Sequence, residues 1–182
     1  YDANGPVHIH TRLPHEGERL TTLDGVEHKL PEYTILVTDP SAALSLGGIM
    51  GGEESEIKPD TANVLLEAAA WDFINIRRSA TQLGISSEAA FRFSRGVHPD
   101  QAILGARRAA ELMRRLAGGT IWNGVFDYYP NPPELVAVEL SPQYVQQLSG
   151  LSLESDEIIG LLGRLEFEIE PYGDHLMVTV PN

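Results

Sequence analysis

The stretch LGGIMGGEESE, residues 46–56, decides the fold of the first part of the chain because it places four glycines within six positions. Glycine lets a backbone approach a ligand or a second strand more closely than a Cβ permits, and it accepts tight bends. Gly47 and Gly52 have the spacing of a P-loop, but Glu53-Glu54 follow them and would repel a phosphate. The order G-G-x-x-G-G, which leads into acidic residues, does not match a dinucleotide fingerprint. Two interpretations remain: a tight bend between strands, or backbone that approaches a small ligand.

One carboxylate, Glu67, interrupts the apolar run NVLLEAAAW at residues 63–71. We interpret this run as a strand buried on both faces, where an unpaired carboxylate costs several kcal/mol in order of magnitude. Glu67 therefore either pairs with an arginine from residues 77–95 or faces a pocket. In a pocket it would accept a hydrogen bond from a ligand hydroxyl or amine.

Composition narrows the class of protein. The 182 residues include no cysteine, which excludes disulfides, thiolate catalysis and zinc sites that use sulfur. The pair His8-x-His10 has no evident third ligand, so we predict no metal site. No apolar run approaches the roughly 18 residues of a membrane helix. We therefore expect a soluble, cytoplasmic protein with no membrane partner.

The charge is unevenly distributed. The chain carries a net charge of −13, yet residues 77–115 hold eight of the 13 basic residues and only three of the 26 acidic residues. This window therefore has a net charge of +5, and the rest of the chain has a net charge of −18. The window is either a solvated helical face or a local binding surface for a phosphate backbone. Its basic members are Arg77, Arg78, Arg92, Arg95, Arg107, Arg108, Arg114 and Arg115.

The pattern of elements predicts an α+β fold, a strand-rich layer with packed helices followed by a small α/β unit. Strands are expected at 7–13, 33–39, 63–71 and 120–129, with a hairpin at 19–30 whose Asp24-Gly25 pair suits a type I′ turn. One helix is expected from the N-cap Asp72 to Leu83, followed by Gly84. A second starts near Pro99 and ends at Ala117, with Ala102, Ala106, Ala109, Met113 and Leu116 as its apolar stripe.

A proline-rich segment at 131–134 predicts a domain boundary, with one domain at 1–130 and a partial one at 135–182. The second domain is expected to hold a strand at 135–140 and a helix opened by Ser141-Pro142. A further helix is expected from about Glu154 to Leu165, and then two strands around Tyr172-Gly173-Asp174.

Four motifs resemble, in order and separation, the editing domain of the bacterial phenylalanyl-tRNA synthetase beta subunit: EGERLTTLDG, GGIMGGEESEI, TANVLLEAAAWD and INIRRSATQLGISSEAAFRFSRGVHP. The resemblance covers roughly residues 1–130. Residues 135–182 resemble the start of the next, winged-helix-like domain of that subunit. The chain is therefore expected to be an excised piece of a longer protein.

The resemblance implies hydrolysis of tyrosine from mischarged tRNA(Phe). It assigns Glu67 to the tyrosine hydroxyl, Gly48 and Gly51 to the pocket wall, Ala89 to control of entry, and Ser87 to the catalytic lining. For tRNA contacts, the candidates are Arg77, Arg78, Arg92 and Arg95. No Ser-His-Asp set is apparent, so we expect direct attack of water on the ester, with preorganised donors meeting the oxyanion.

Some positions depart from the family pattern. Tyr1-Asp2 match residues that follow a pocket histidine, which the chain does not contain. Phe91 stands where a histidine is common, Ser94 where a glutamate is common, and His98 where an aspartate would cap the next helix. We therefore expect a chain that keeps the pocket and is a poor hydrolase.

The implied partners are tRNA(Phe), tyrosine as the editing ligand, and the alpha subunit in a heterotetramer, with no DNA. No cofactor is expected in this chain, whereas ATP and Mg²⁺ belong to the intact synthetase by resemblance. The alternative is a tRNA-positioning or RNA-binding module whose editing has decayed.

Overall fold

The computed structural model of the protein describes residues 7–181, so Tyr1-Asp2 lie outside the described residues. Contacts between residues divide the chain into two units, residues 1–124 and residues 125–182. No helix within residues 7–181 has the length and apolar character needed to cross a membrane.

The first unit combines short antiparallel strands with helices. In chain order it contains β1 (His10–Arg12), β2 (Arg19–Thr21), β3 (Glu27–Lys29), β4 (Leu36–Thr38), β5 (Ala43–Leu46), β6 (Met50–Gly51), a 3₁₀ helix (Glu53–Ser55), α1 (Phe73–Leu83), α2 (Glu88–Phe93) and α3 (Gln101–Ala117). The sheet order is β1-β4-β5-β6, and β2 pairs with β3 in a separate ribbon. A single bridge between Thr22 and Gly52 joins the ribbon to the end of β6.

The β2–β3 hairpin is confirmed, but its predicted turn type is wrong. A type I′ turn needs positive φ at both central residues, whereas here Gly25 has φ +75° and Asp24 does not have a positive φ. Gly25 N–H donates to Thr22 O at 2.8 Å, and Thr22 N–H donates to Val26 O at 3.0 Å. These bonds close a three-residue loop in which only the last residue is left-handed.

The core of the first unit lies between the sheet and the helices. Leu36, Leu46, Ile49 and Ile76 are at most 2% exposed, and the side chain of Trp71 packs against this group. Leu36 and Leu46 face each other across β4 and β5, so their side chains share one face of the sheet. This packing fixes the β5–β6 turn, which carries Gly47 and Gly48; Gly51 ends β6 and Gly52 follows it.

Helix α1 begins and ends as predicted. The Asp72 carboxylate accepts a hydrogen bond from Asn75 N–H at 2.6 Å, and Gly84 has φ +69° at the C-terminal end. Ile76 is fully buried, and Ala80 and Leu83 pack against the same core, because positions three to four residues apart share one helix face.

The prediction for α3 is correct in extent and only partly correct in packing. The helix starts two residues after Pro99 and ends before Gly118, which has φ +71°. Ala102, Ala106 and Ala109 are partly buried, but Met113 is 39% and Leu116 83% exposed. The apolar stripe therefore packs only along the N-terminal part of the helix.

Two predicted strands are wrong. Residues 63–71 and 120–129 form no strand in the described structure, and Val64, Leu65 and Leu66 are 38–43% exposed rather than buried on both faces. Apolar runs without alternation do not by themselves distinguish strands from irregular segments that line a cavity. Conversely, β5, β6 and α2 were not predicted, because each is short and rich in small residues.

The second unit matches its predicted elements. It contains β7 (Ala137–Leu140), α4 (Pro142–Ser149), α5 (Ser155–Gly163), β8 (Glu168–Tyr172) and β9 (His175–Thr179), with sheet order β7-β9-β8. Ser141 caps α4, and Glu154 with Glu157 forms a capping box at α5. Ile158, Leu176 and Val178 form its core. The domain limits at 130 and 135 stay a prediction.

Candidate functional site

The glycines of the β5–β6 turn are required by close packing inside the protein. Gly48 has φ +67°, and a Cβ on it would lie 2.5 Å from Cδ1 of Trp71 and 2.9 Å from Cδ1 of Ile76. A Cβ on Gly47 would lie 2.6 Å from the same indole ring. The bend between strands that the sequence suggested is therefore present, and the indole of Trp71 covers it.

Two cavities adjoin this turn, and Glu67 lines both. The apolar cavity has a volume of about 440 Å³ and is lined by Leu23, Leu44, Gly51, Glu56, Leu65 and Glu67 among others. The aromatic cavity has a volume of about 280 Å³ and is lined by Gly48, Glu67, Trp71, Phe93, Ala102 and Gly105 among others. The structure thus brings Glu67 together with Gly51 on one side and with Gly48 on the other.

The Glu67 carboxylate is reached by solvent yet lies in a concave region. Desolvation by the surrounding protein raises the pKa of Glu67 above its ordinary value. Within residues 7–181, no hydrogen bond or salt bridge engages this carboxylate. A carboxylate in this setting is available to accept a hydrogen bond from a ligand hydroxyl.

The arginines of residues 77–95 do not pair with Glu67, which excludes one of the two interpretations of that residue. Arg77 donates to Ser94 O at 2.7 Å, and Arg92 pairs with Glu88 at 3.2 Å. The Arg78 guanidinium lies over the ring of Tyr33, and the Arg95 guanidinium lies over the ring of Phe91. All four arginines are exposed, and all four have partners within the protein.

The hydroxyl of Ser87 has two protein partners. It donates to Ile49 O at 2.6 Å and accepts a hydrogen bond from Ala90 N–H at 3.0 Å, which makes Ser87 the N-cap of α2. Ile49 lies within residues 47–52, the β5–β6 segment that we call the glycine turn. This bond therefore holds the start of α2 against the glycine turn. Ala89 lies in the first turn of α2 and is partly buried, and it does not line either cavity.

The three departures from the family pattern have local partners. Phe91 is 56% exposed beneath Arg95, and Ser94 Oγ donates to Phe91 O at 3.1 Å. His98 Nδ1 accepts a hydrogen bond from Asp100 N–H at 3.4 Å. The predicted cap position is wrong, because the N-cap of α3 is Asp100 and His98 lies in the turn before the helix.

Trp71 and Phe93 are the residues of the site that sequence reasoning missed. Both line the aromatic cavity, and Trp71 also covers the glycine turn. One signal was present in the sequence, since Trp71 directly precedes the predicted cap Asp72 and is one of only two tryptophans. Within residues 7–181, no group of three or more His, Cys, Asp or Glu side chains is suited to holding a metal ion.

Comparison with known proteins gives three findings. The profile of the B3/4 domain family matches residues 1–118. The phenylalanine–tRNA ligase beta subunits of Salinibacter ruber and Thermotoga maritima are both 42% identical to this chain, over 88% and 91% of its length and 19% and 21% of theirs. The beta subunit of Moorella thermoacetica is 40% identical over the whole chain and 22% of its own length.

The chain spans about a fifth of the length of the curated relatives it matches. A solved structure, an N-terminal fragment of the phenylalanyl-tRNA synthetase beta subunit from Pyrococcus horikoshii, superposes with a TM-score of 0.44 at 16% identity. That superposition covers 99% of this chain and 51% of the other chain.

Proposed function

Because the chain belongs to the B3/4 domain family, we propose that it acts as the part of a phenylalanine–tRNA ligase beta subunit that hydrolyses tyrosine from mischarged tRNA(Phe). The observation that carries the proposal is Glu67, a carboxylate without a protein partner among the described residues, which lines two cavities beside the glycine turn.

Recognition of the wrong amino acid rests on one hydroxyl group. Tyrosine and phenylalanine differ only there, and a pocket that mostly packs a ring discriminates poorly between them. A carboxylate that accepts a hydrogen bond from the phenol gains about 1.5–3 kcal/mol for tyrosine, and phenylalanine leaves that carboxylate unpaired. Gly48 and Gly51 contribute backbone to the cavity walls beside Glu67, and both are glycine because a Cβ would meet Trp71 and Leu23, respectively.

Hydrolysis in this proposal proceeds by attack of water on the ester carbonyl. The water oxygen bonds to the carbonyl carbon and loses a proton to solvent, while the carbonyl π electrons move to the oxygen and preorganised donors stabilise the oxyanion. The carbonyl then re-forms as the ester bond to the ribose breaks, and the ribose oxygen takes up a proton from solvent, which leaves free tyrosine and the RNA hydroxyl. Ser87 is the predicted catalytic residue, but its hydroxyl proton is held by Ile49 O. In this conformation Ser87 is suited to positioning α2 against the glycine turn rather than to donating to the oxyanion.

The chain on its own is expected to be a weak hydrolase. The positions of Phe91 and Ser94 place a ring and a short hydroxyl where the family commonly has a histidine and a glutamate, and Arg95 and the backbone already engage them. Fewer polar groups are then available to hold the attacking water.

The proposed partners are tRNA(Phe) and the alpha subunit, within a cytoplasmic heterotetramer that attaches phenylalanine to tRNA. ATP and Mg²⁺ serve that ligase reaction, and no step of theirs is assigned to this chain. Its glycine turn does not fit a nucleotide phosphate, since Glu53 and Glu54 follow it directly in the 3₁₀ helix.

A second candidate is a tRNA-positioning or RNA-binding module without hydrolytic activity. The engaged hydroxyl of Ser87 and the departures at Phe91 and Ser94 favour it. It keeps the fold and the RNA partner but predicts that tyrosine does not bind.

Deacylation assays test the proposal. Tyrosyl-tRNA(Phe) and phenylalanyl-tRNA(Phe) are incubated with the chain, with Glu67→Ala, and with Glu56→Ala, a matched loss of a carboxylate from the apolar cavity. We expect slow hydrolysis that is selective for tyrosine and is lost only in Glu67→Ala. Release at the spontaneous rate with all three proteins would favour the module without catalysis, and rapid hydrolysis would contradict the expectation of a weak enzyme.

A further inference from the structure

We propose that the outer face of α3 binds the phosphate backbone of RNA and guides its 3′ end towards the Glu67 cavities. The proposal rests on the proposed function, which supplies an aminoacylated RNA as the partner. It concerns Arg107, Arg108 and Arg115, which we call the α3 arginines.

The α3 arginines share one side of the helix with Arg114. With 3.6 residues per turn, the four side chains project from about one third of the circumference, opposite the stripe formed by Ala102, Ala106 and Ala109. The only acidic residue on this face is Glu111, and Arg114 binds it through two hydrogen bonds of 2.9 Å. The face therefore keeps three positive charges after its internal pair is formed.

The α3 arginines differ from the other basic residues of the window in having no hydrogen bond, salt bridge or ring contact within residues 7–181, and all three are exposed. After Arg114, the charge of Arg108 also contributes to lowering the pKa of Glu111. Arg77, Arg78, Arg92 and Arg95 each have a protein partner. Charge compensation at the helix C-terminus explains a cation in the last turn, such as Arg115, but not Arg107 or Arg108 in the middle.

The position of the face relative to the cavity supports RNA as the ligand. Gln101, Ala102 and Gly105 of α3 line the aromatic cavity, and Arg108 follows Gly105 by three residues, so the basic face begins one turn beyond the cavity. From Arg107 to Arg115 the helix rises about 12 Å, a length over which an RNA strand presents more than one phosphate.

Electrostatics directs a polyanion to residues 77–115, the basic window that contains α3, and of the basic residues in this window only the α3 arginines lack a hydrogen bond, salt bridge or ring contact among the described residues. The remainder of the chain outside residues 77–115 carries −18, which repels phosphate, whereas α3 attracts it. Arginine guanidinium groups bind phosphate oxygens through two parallel hydrogen bonds, which favours a phosphate backbone over a diffuse anion.

The test measures binding of a fluorescein-labelled tRNA(Phe) transcript, without an amino acid, by anisotropy over a series of salt concentrations. The proteins are the chain, the triple variant Arg107→Gln/Arg108→Gln/Arg115→Gln, and the control Lys29→Gln/Lys58→Gln/Arg164→Gln, which removes the same charge at exposed residues outside the basic window. Circular dichroism confirms that each protein is folded.

Loss of three phosphate contacts is expected to reduce the slope of log affinity against log salt by roughly 2.1 to 2.7 in the α3 variant and little in the control. Equivalently, the fall in affinity between 50 and 200 mM salt becomes roughly 20- to 40-fold smaller. Equal effects of the two triple variants would overturn the proposal, because net charge alone would then govern binding. Binding of poly-glutamate as tightly as RNA would also overturn it, since the face would then accept acidic polypeptides.

The result is independent of the proposed hydrolysis. RNA binding that depends on the α3 arginines, together with no tyrosine selectivity, would keep this inference and remove the proposed function. Tyrosine selectivity without RNA binding at α3 would keep the proposed function and remove this inference.

Discussion

The replacement of Gly48 by alanine tests how tightly the glycine turn packs. Alanine in the left-handed region costs about 1–2 kcal/mol, and Gly48 has φ +67°. The added Cβ would lie 2.5 Å from Cδ1 of Trp71 and 2.9 Å from Cδ1 of Ile76, a contact whose relief costs about 1–3 kcal/mol more. We expect Gly48→Ala to lower the free energy of unfolding by about 2–5 kcal/mol in urea denaturation.

Gly84 is the matched control for this measurement. It has φ +69° with no atom within 4 Å of the position of a Cβ, so Gly84→Ala pays only the conformational cost of about 1–2 kcal/mol. The difference between the two variants isolates the contact with Trp71. Equal losses of stability in Gly48→Ala and Gly84→Ala would refute the assignment of this glycine to close packing.

Three further predictions concern stability. Glu18→Gln should lower the free energy of unfolding by about 1–3 kcal/mol at neutral pH, because Arg12 lowers the pKa of Glu18 from 4.5 to about 2. Unfolding measured at a series of pH values should show this difference between variant and parent shrinking as the pH falls from 4.5 towards 2. Glu67→Gln should be more stable than the parent above pH 4.5 and equal to it below. Desolvation raises the pKa of Glu67, so only the ionised form is disfavoured in the folded protein. A difference in unfolding free energy that stays the same at every pH would contradict this. Ser87→Ala should lower the unfolding free energy by about 1–2 kcal/mol and Ser87→Thr by much less, because threonine retains the cap; calorimetric melting distinguishes them.

Much of the fold could be predicted because its signals are local. The cap at Asp72, the glycine after Leu83 and the Ser141-Pro142 start of α4 each act within one helical turn, and the structure contains all three. The hairpin around Asp24-Gly25 was also predicted, although its turn contains one left-handed residue rather than two.

The site was less predictable because its packing is set by contacts distant in sequence. The run at 63–71 reads as a buried strand, yet it lines two cavities; Glu67 indicated a pocket, but nothing within the run reveals which elements form the cavity walls. The contact between Trp71 and Gly48 joins residues far apart along the chain. Ser87 was singled out by resemblance, but its bond to Ile49 O depends on how α2 meets the glycine turn.

Titration calorimetry of free tyrosine and free phenylalanine tests the central claim most directly. The chain is compared with Glu67→Ala and with Glu56→Ala, which removes the neighbouring carboxylate of the apolar cavity. Because solvent reaches Glu67, we take the lower end of the value for a charged hydrogen bond and expect tyrosine to bind roughly tenfold more tightly than phenylalanine. This preference should persist in Glu56→Ala and vanish in Glu67→Ala. Equal binding of both amino acids, or a preference that survives in Glu67→Ala, would contradict the account.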